Sequence, residues 1–313
     1  MTRQAWNQVA IVGVGLIGGS IGMALLKRKL AKEVVGVGRH TANLKTAKRV
    51  GAVSSTTTDL AKGVANAEVI IVCTPVESIV EQVRAIGKIL NLSRTESQIP
   101  TKGKARRSTE RIENPSGDVL ITDAGSTKAD IVRQLEAAER EPSWPKGVRF
   151  IGSHPVAGNE KRGAHHSSAD LFEGRTVVIT ATENSPAGDV RRLKQFWSAI
   201  GAKVVAMTAE EHDAVMAGIS HLPHLLASAI AAATPDRYVS LSGSGWQDTT
   251  RIAAGDPALW RQILLANRAN VIASLKTFDQ RLAAFRSALE AGDANALERL
   301  LAEAKQIRDA VAN

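Results

Sequence analysis

The sequence predicts an α/β domain with a mostly parallel sheet, followed by an all-helical domain. Two patterns support this fold class. Short β-branched runs alternate with longer helical patterns in the first part of the 313 residues, and the strand patterns then end near Thr208. We therefore predict a division into residues 1–207 and 208–313. A chain of this length is longer than one typical domain and long enough for two.

The first domain is built from strand-like runs separated by helices. Seven runs have the composition of buried strands: Val9–Val12, Val34–Val37, Val69–Cys73, Val119–Thr122, Arg149–Gly152, Thr176–Thr180 and Lys203–Ala206. Helical patterns fill most of the gaps, among them Ile17–Arg28, Ser78–Leu90 and Lys128–Glu139. Residues 92–117 are polar and basic with almost no apolar side chain. Such a segment buries too little surface to offset its ordering entropy, so we predict a flexible surface insertion there.

The sequence predicts long helices in the second domain. Glu210–Ala233 is Ala-rich and predicts one helix, in which Pro223 should cause a kink because it lacks a backbone N–H. Two further helices are predicted at Pro257–Ala291 and Ala294–Val311. Asp256 followed by Pro257 has the form of a helix start. The alanines between positions 227 and 233 suit either an internal packing face or a dimer face.

Composition narrows the class of ligand. The net charge of +9 suits nucleic acid or a small anionic ligand, but aromatic residues are only 4% and do not interleave with the basic segment. Stacking on nucleic-acid bases is therefore poorly supported, and the basic segment is better interpreted as a solvated loop. The chain has one cysteine, no run of some 18 apolar residues and no secretory leader pattern, so we expect a cytoplasmic protein with neither a membrane span nor a disulfide.

A glycine motif follows the first strand and opens the first helix. Its sequence is Gly13-Val14-Gly15-Leu16-Ile17-Gly18. In this strand–turn–helix setting the motif predicts a dinucleotide site in a Rossmann-type domain, with the pyrophosphate at the helix N-terminus. Cys73-Thr74-Pro75 follows the third strand, so these residues should also border the cofactor at the carboxyl edge of the sheet.

The end of the second strand bears on cofactor choice. It continues as Gly38-Arg39-His40-Thr41, without the carboxylate that would hold a ribose 2′-hydroxyl. Arg39 can pair with a 2′-phosphate, which favours NADP over NAD, although a surface cation at this position is the alternative.

Histidines supply the candidate chemistry. His154 lies in Ser153-His154-Pro155-Val156-Ala157-Gly158, after an apolar run and on a predicted turn, where imidazole can act as a general base. Ser126 follows another strand and can hydrogen-bond that imidazole or the substrate, or cap the next helix. Together with the cofactor motif, these residues indicate a dehydrogenase.

Two more groups suggest a substrate site in the helical domain. His221 and His224 are three residues apart, so they should share one face of a helix. A metal site is the rival interpretation, but no third ligand recurs at a suitable spacing. Arg251 follows a Gly/Ser-rich loop and can clamp a carboxylate, or be an ordinary surface cation.

Taken together, these motifs resemble those of the prephenate and arogenate dehydrogenases of tyrosine biosynthesis. The resemblance runs over nearly the whole chain and includes three further segments: residues 123–128, Glu211-His212-Asp213, and 248–253. It implies a Rossmann-type domain followed by an all-α helical dimerisation domain, and an oxidative decarboxylation with hydride transfer to NAD(P)+.

The resemblance also implies roles for single residues. His154 matches the catalytic histidine, and Ser126 matches its polar partner. His221 and His224 match a helix pair near the substrate. Arg251 matches the binder of the ring carboxylate, and Glu160 an acidic residue at the cleft entrance.

The resemblance leaves two points open. It does not separate prephenate from arogenate as substrate, nor NADP from NAD. A homodimer is expected, with a small-molecule substrate and no nucleic-acid or membrane partner. The chain departs from the family at residues 93–117, and no regulatory domain is expected after the helices. A β-hydroxyacid dehydrogenase is a less favoured alternative, because such enzymes use a helix lysine as base.

Overall fold

A computed structural model describes residues 6–98, 118–158 and 161–312. The first domain is built on a six-stranded sheet in the order β3-β2-β1-β4-β5-β6, and all its neighbouring strands run parallel. The strands are β1 (Trp6–Val12), β2 (Ala31–Val37), β3 (Ser55–Thr57), β4 (Val69–Val72), β5 (Val119–Asp123) and β6 (Val148–Phe150). The predicted parallel sheet is confirmed, although the short and polar β3 was not predicted.

Both faces of this sheet are buried, which explains the continuous apolar strands. Val9 and Ile11 of β1 pack into one core cluster, whereas the alternate residues Ala10 and Val12 pack into the other. Side chains of a strand alternate between its faces, so an apolar run fills both layers at once. The helices that follow the strands are α1 (Leu16–Lys27), α2 (Thr41–Arg49), α3 (Leu60–Val64), α4 (Val76–Gln98), α5 (Ala129–Glu139) and α6 (Ala187–Ala199).

The predicted strand Arg149–Gly152 is wrong as a single strand. The chain leaves the parallel sheet after β6, and β7 (Gly152–Pro155) begins a separate three-stranded sheet. There β7 pairs antiparallel with β8 (Thr176–Thr180), and β8 pairs parallel with β9 (Lys203–Ala206). His154 therefore lies within a strand, and not on a turn after one.

The predicted insertion at residues 92–117 is wrong at its start. Helix α4 continues through Gln98, seven residues beyond Asn91. Adding residues to an existing helix is much easier than starting one, so a polar segment can continue α4. Residues 99–117 lie outside the described part of the chain.

The elements that follow β9 are helices throughout the described residues. They are α7 (Ala209–Met216), a π-helical turn (Ala217–His221), α8 (Leu222–Ala233), α9 (Asp236–Val239), α10 (Ser244–Thr250), a 3₁₀ turn (Arg251–Ala254), α11 (Pro257–Ala266), α12 (Arg268–Ala291) and α13 (Ala294–Ala312). Asp256 caps α11 through the N–H groups of Ala258 and Leu259, which confirms the predicted helix start.

Two long helices are interrupted. The run 209–233 contains the π turn immediately before Pro223, and this wider turn accommodates the missing proline N–H. The predicted helix Pro257–Ala291 is wrong as one piece, because Asn267 separates α11 from α12. Asn267 is buried, and its side chain bonds to groups of the first half of the helical domain.

Candidate active site

A cleft of about 610 Å³ lies at the carboxyl edge of the six-stranded sheet. Its walls include Gly13 and Gly15, the segment Cys73-Thr74-Pro75 and Arg39. Leu16, Ile17 and Gly18 form the first turn of α1. These three residues are not among the described residues that line the cavity. The structure therefore brings together most of the residues predicted to bind a cofactor.

The glycine loop has the shape that a dinucleotide requires. Gly13 has φ +95°, and a Cβ there would lie 2.7 Å from the carbonyl oxygen of Cys73. A Cβ on Gly18 would overlap the carbonyl of Gly13, whereas Gly15 has open space beyond its Cα. The loop is thus closed against the protein and open where a pyrophosphate would approach the N-terminus of α1.

Polar groups in the cleft favour an anionic ligand. No carboxylate lines it within the described residues, while Arg39, His40 and His165 do. The hydroxyl of Thr74 is buried without a described hydrogen-bond partner. A nicotinamide dinucleotide fits this arrangement of an open glycine loop, a cationic arginine, two histidines and a hydroxyl without a described partner.

A chain of three side chains joins the two domains near this edge. Nδ1 of His154 lies 2.8 Å from Nε2 of His212, and Nδ1 of His212 lies 2.8 Å from Oδ1 of Asp213. His154 belongs to β7, whereas His212 and Asp213 belong to α7. In the sequence, His212 and Asp213 stand out only through the family resemblance, and their contact with His154 was not predicted.

The carboxylate sets the tautomers along this chain. An ionised carboxylate only accepts hydrogen bonds, so His212 donates from Nδ1 and, as a neutral ring, accepts at Nε2. His154 then donates its Nδ1 proton to His212. This leaves Nε2 of His154 with a lone pair, which is the state that a general base requires.

The environment keeps His154 neutral. Burial, followed by the neighbouring His212, Lys128 and His221, holds the pKa of His154 well below its usual 6.5. The ring is still partly exposed to solvent. An unprotonated and partly accessible imidazole can receive a proton from a bound molecule at neutral pH.

Helix α5 holds the other end of the chain. The backbone N–H groups of Lys128 and Ala129 donate to Oδ1 and Oδ2 of Asp213 at 2.8 and 2.9 Å. Burial opposes ionisation of Asp213, but the bonds from His212 and from these two backbone groups outweigh it and lower its pKa. The start of α5 thus fixes a carboxylate in place, as expected where free N–H groups meet a negative charge.

A buried polar cluster positions the strand that carries His154. Ser153 donates from its backbone N–H to Oδ1 of Asp123 at 3.1 Å, and its hydroxyl donates to the carbonyl of Asp123 at 2.6 Å. Asp123 also pairs with the fully buried Lys128, whose pKa burial lowers. In the cleft, burial and then Asp123 raise the pKa of Cys73, in keeping with an unreactive thiol. Asp123 therefore lies between the cofactor cleft and the histidine chain.

His221 and His224 share one face, as predicted. Both are buried, and the ring of His224 stacks on Trp260 with 3.5 Å between centroids, while His221 meets Trp260 edge-on. Asn267 lies 3.1 Å from Nδ1 of His221. Burial, opposed in part by Asp213, lowers the pKa of His221 to about 4. Trp260 and Asn267 had no sequence signal beyond their residue types.

Two other predicted site residues, Ser126 and Arg251, lie in the described part of the chain. Ser126 is half-buried and makes no hydrogen bond with a described residue, and helix α5 is capped by Asp213 in place of Ser126. The alternative that Ser126 caps this helix is therefore wrong. Arg251 begins the 3₁₀ turn and is exposed, with no described ion pair. Glu160 lies outside the described residues. Two positions later in the sequence, Arg162 pairs with Asp256 at the start of α11.

Among the described residues, no cluster of three or more His, Cys, Asp or Glu is placed to hold a metal ion. One helical run among the described residues, Ala209–Ala233, is long and apolar enough to span a membrane by length and composition. That is weak evidence, because the run also carries His212, Asp213, His221 and His224, which are all buried in this site.

Comparison with known proteins agrees with this geometry. Residues 99–206 match the family "Prephenate dehydrogenase, nucleotide-binding domain", and residues 208–303 match "Prephenate dehydrogenase, dimerization domain". Residues 8–94 match "NADP oxidoreductase coenzyme F420-dependent". A prephenate dehydrogenase of Lactococcus lactis is 30% identical over 97% of this chain and 77% of its own length. The chain belongs to the prephenate dehydrogenase family.

Solved structures of the prephenate dehydrogenase family extend this result. The Aquifex aeolicus prephenate dehydrogenase, solved with hydroxyphenyl propionate and NAD+, is 28% identical with a TM-score of 0.79, covering 97% of this chain and 98% of that one. Synechocystis arogenate dehydrogenase is 26% identical with a TM-score of 0.73, covering 97% and 99%. The predicted fold class and resemblance are confirmed, and the chain is an NAD(P)-dependent oxidoreductase.

Proposed function

We propose that this protein is a prephenate dehydrogenase, which converts prephenate and NAD(P)+ to 4-hydroxyphenylpyruvate, CO₂ and NAD(P)H. The observation that carries this proposal is the His154–His212–Asp213 chain next to a cleft shaped for a dinucleotide. Arogenate is the alternative substrate, which would give tyrosine directly. Arogenate remains the alternative because an arogenate dehydrogenase is similar to this chain over nearly its whole length.

The first step assigned to the protein is proton acceptance. Nε2 of His154 accepts the proton of the ring hydroxyl while hydride leaves the carbon that bears it. When bound, the oxidised nicotinamide accepts this hydride. His212 and Asp213 orient the imidazole and stabilise the positive charge that develops on it, because Asp213 is ionised and hydrogen-bonded to His212.

The second step returns the proton. The bond between the ring and its carboxylate breaks, CO₂ leaves, and the electron pair makes the ring aromatic. The ring oxygen then recovers the proton from His154, so the reaction releases no net proton. Aromatisation supplies much of the driving force, and the protein mainly has to position its substrate against the cofactor.

We propose that the helical domain binds the ring carboxylate of the substrate. His221 and His224 are buried and pack against the half-buried Trp260 next to the histidine chain, and Nδ1 of His224 has no hydrogen-bond partner among the described residues. We assign Arg251 to the ring carboxylate, Ser126 to the polar contact of His154, and Glu160 to the cleft entrance. The resemblance to the family supports these three roles.

We propose NADP as the preferred cofactor. Arg39 lines the cleft at the end of β2, where a carboxylate would be expected for NAD, and no carboxylate lines the cleft elsewhere in the described residues. A charge-assisted contact of Arg39 with the 2′-phosphate would give a preference of about 10-fold to 100-fold.

The test of the function is a steady-state assay of both substrates with both cofactors. We expect the highest kcat/KM for prephenate with NADP. A higher value for arogenate would assign the alternative substrate, and no turnover of either would refute the proposed reaction.

The test of cofactor choice uses a matched pair of variants. Arg39→Asp should weaken NADP strongly and leave NAD similar or better bound. Arg49→Asp makes the same charge change at the exposed end of α2, away from the cleft lining, and should leave the ratio unchanged. A wild-type preference for NAD, or an unchanged ratio in Arg39→Asp, would refute the assignment.

We also propose a cytoplasmic homodimer whose helical domain, residues 208–313, forms the interface. The C-terminal helices leave large apolar side chains exposed, including Leu282, Leu289, Leu301 and Ile307. The matching family description names a dimerization domain over residues 208–303. Light scattering on the purified protein should give twice the monomer mass of 33.2 kDa.

A further inference from the structure

A short 3₁₀ turn forms one wall of the cofactor cleft. The turn, Ala164–His166, packs against both α1 and α2. Gly163, Ala164 and His165 line the same cavity as the glycine loop and Arg39. No motif in the sequence predicts a role for this segment.

The turn is fastened to the glycine loop. The hydroxyl of Ser167 lies 3.3 Å from the carbonyl oxygen of Gly15 and 3.2 Å from that of Leu16. The N–H of Ser168 donates to the hydroxyl of Ser20 at 3.0 Å. The side chain of His165 is thus carried on backbone that is fixed relative to the start of α1.

Gly163 provides the space for the His165 ring. It has φ +90°, and a Cβ there would lie 2.8 Å from Cε1 and 2.9 Å from Nδ1 of His165. The ring therefore occupies the position that a side chain on the preceding turn would fill. Beside it, the ring of His166 lies at a centroid distance of 4.0 Å, but His166 does not line the cleft.

The polar side chains around His165 suit an anionic ligand. The cleft lining also contains Arg39 and His40, and no carboxylate lines it among the described residues. A neutral imidazole still donates one hydrogen bond, and a protonated ring donates two and adds a charge. The dinucleotide brings its phosphates to this part of a Rossmann-type cleft.

We propose that His165 is a cofactor-binding residue that donates a hydrogen bond to a phosphate of the bound dinucleotide. This inference rests on the proposed use of NAD(P) in this cleft. It assigns a second cofactor-binding side chain besides Arg39, contributed by the segment after β7. The phosphate is either the 2′-phosphate or the pyrophosphate, and the two sources give different results with NADPH and NADH.

The experiment measures dissociation constants directly, by titrating His165→Ala with NADPH and with NADH and following nicotinamide fluorescence. We expect the constant to rise about fivefold, the effect of one partly exposed charge-assisted contact. A rise for NADPH alone identifies the 2′-phosphate, and a rise for both identifies the pyrophosphate. His165→Arg, which keeps a donor, should bind close to wild type.

His166→Ala is the matched control, because it removes the neighbouring exposed ring that lies outside the cleft lining. An equal effect of both alanine variants, or no effect of His165→Ala, would overturn the role of His165. Failure of the wild type to bind either dinucleotide would instead overturn the cofactor assignment itself.

Discussion

Replacement of Asp213 by asparagine tests the histidine chain without removing its base. In the structure, the carboxylate of Asp213 accepts three hydrogen bonds, from the N–H groups of Lys128 and Ala129 and from Nδ1 of His212. An amide has one oxygen and one NH₂ group, so one side of this arrangement must place donor against donor. Asp213→Asn also removes the negative charge next to His212.

The magnitude follows from these bonds. The contact between a carboxylate and an imidazole that gains positive charge contributes about 1.5–3 kcal/mol, and an amide retains roughly half of that or less. We therefore expect kcat to fall by about 10-fold to 100-fold with KM nearly unchanged, since Asp213 acts on His154 through His212. Loss of one capping bond at α5 should lower the free energy of unfolding by about 1 kcal/mol.

The assay is the initial rate of NADPH formation at saturating prephenate and NADP, with thermal unfolding measured in parallel. Asp130→Asn is the control, because it makes the same chemical change on an exposed side chain in the first turn of α5. The acid limb of kcat should also move to lower pH in Asp213→Asn, since losing a negative charge disfavours the protonated imidazole. A variant that loses stability but keeps kcat within about threefold of wild type would refute the argument, which rests on a charge-assisted contact of this size.

Three further predictions concern single residues. His154→Asn should lower kcat by about 10²-fold to 10⁴-fold, and wild-type kcat should decline only below pH 6.5, because burial lowers the pKa of His154; an acid limb above 6.5 would contradict this. Arg251→Gln should raise KM for prephenate by about 30-fold or more with little change in kcat, and an unchanged KM would place Arg251 outside the site. His221 has a folded-state pKa of about 4, below the 6.5 of the unfolded chain, so unfolding takes up a proton and stability falls as pH is lowered through this window. Between pH 7 and pH 5 this contributes about 2 kcal/mol, and denaturant unfolding of His221→Gln should show a correspondingly weaker pH dependence.

The sequence by itself determined the elements whose signals are local. The glycine loop after β1, the strands Thr176–Thr180 and Lys203–Ala206, and the cap of α11 at Asp256 are where the sequence places them. Each depends on residues within a few positions of one another, through steric limits on φ, side-chain alternation along a strand or a side chain reaching a nearby N–H. The pair His221 and His224 is of the same kind, since helical spacing alone sets their common face.

Only the tertiary structure decided which distant residues meet. His154 and His212 are 58 positions apart, and their contact requires that β7 leave the parallel sheet and that α7 pack against the start of α5. The split between β6 and β7 and the break at Asn267 likewise have no strong local signal. In each case the competing local conformations differ little in free energy, so burial and hydrogen bonds formed across the fold select one. Asp213 illustrates the reason, because it becomes an anchor for His212 only once the N–H groups of another helix are brought to its carboxylate.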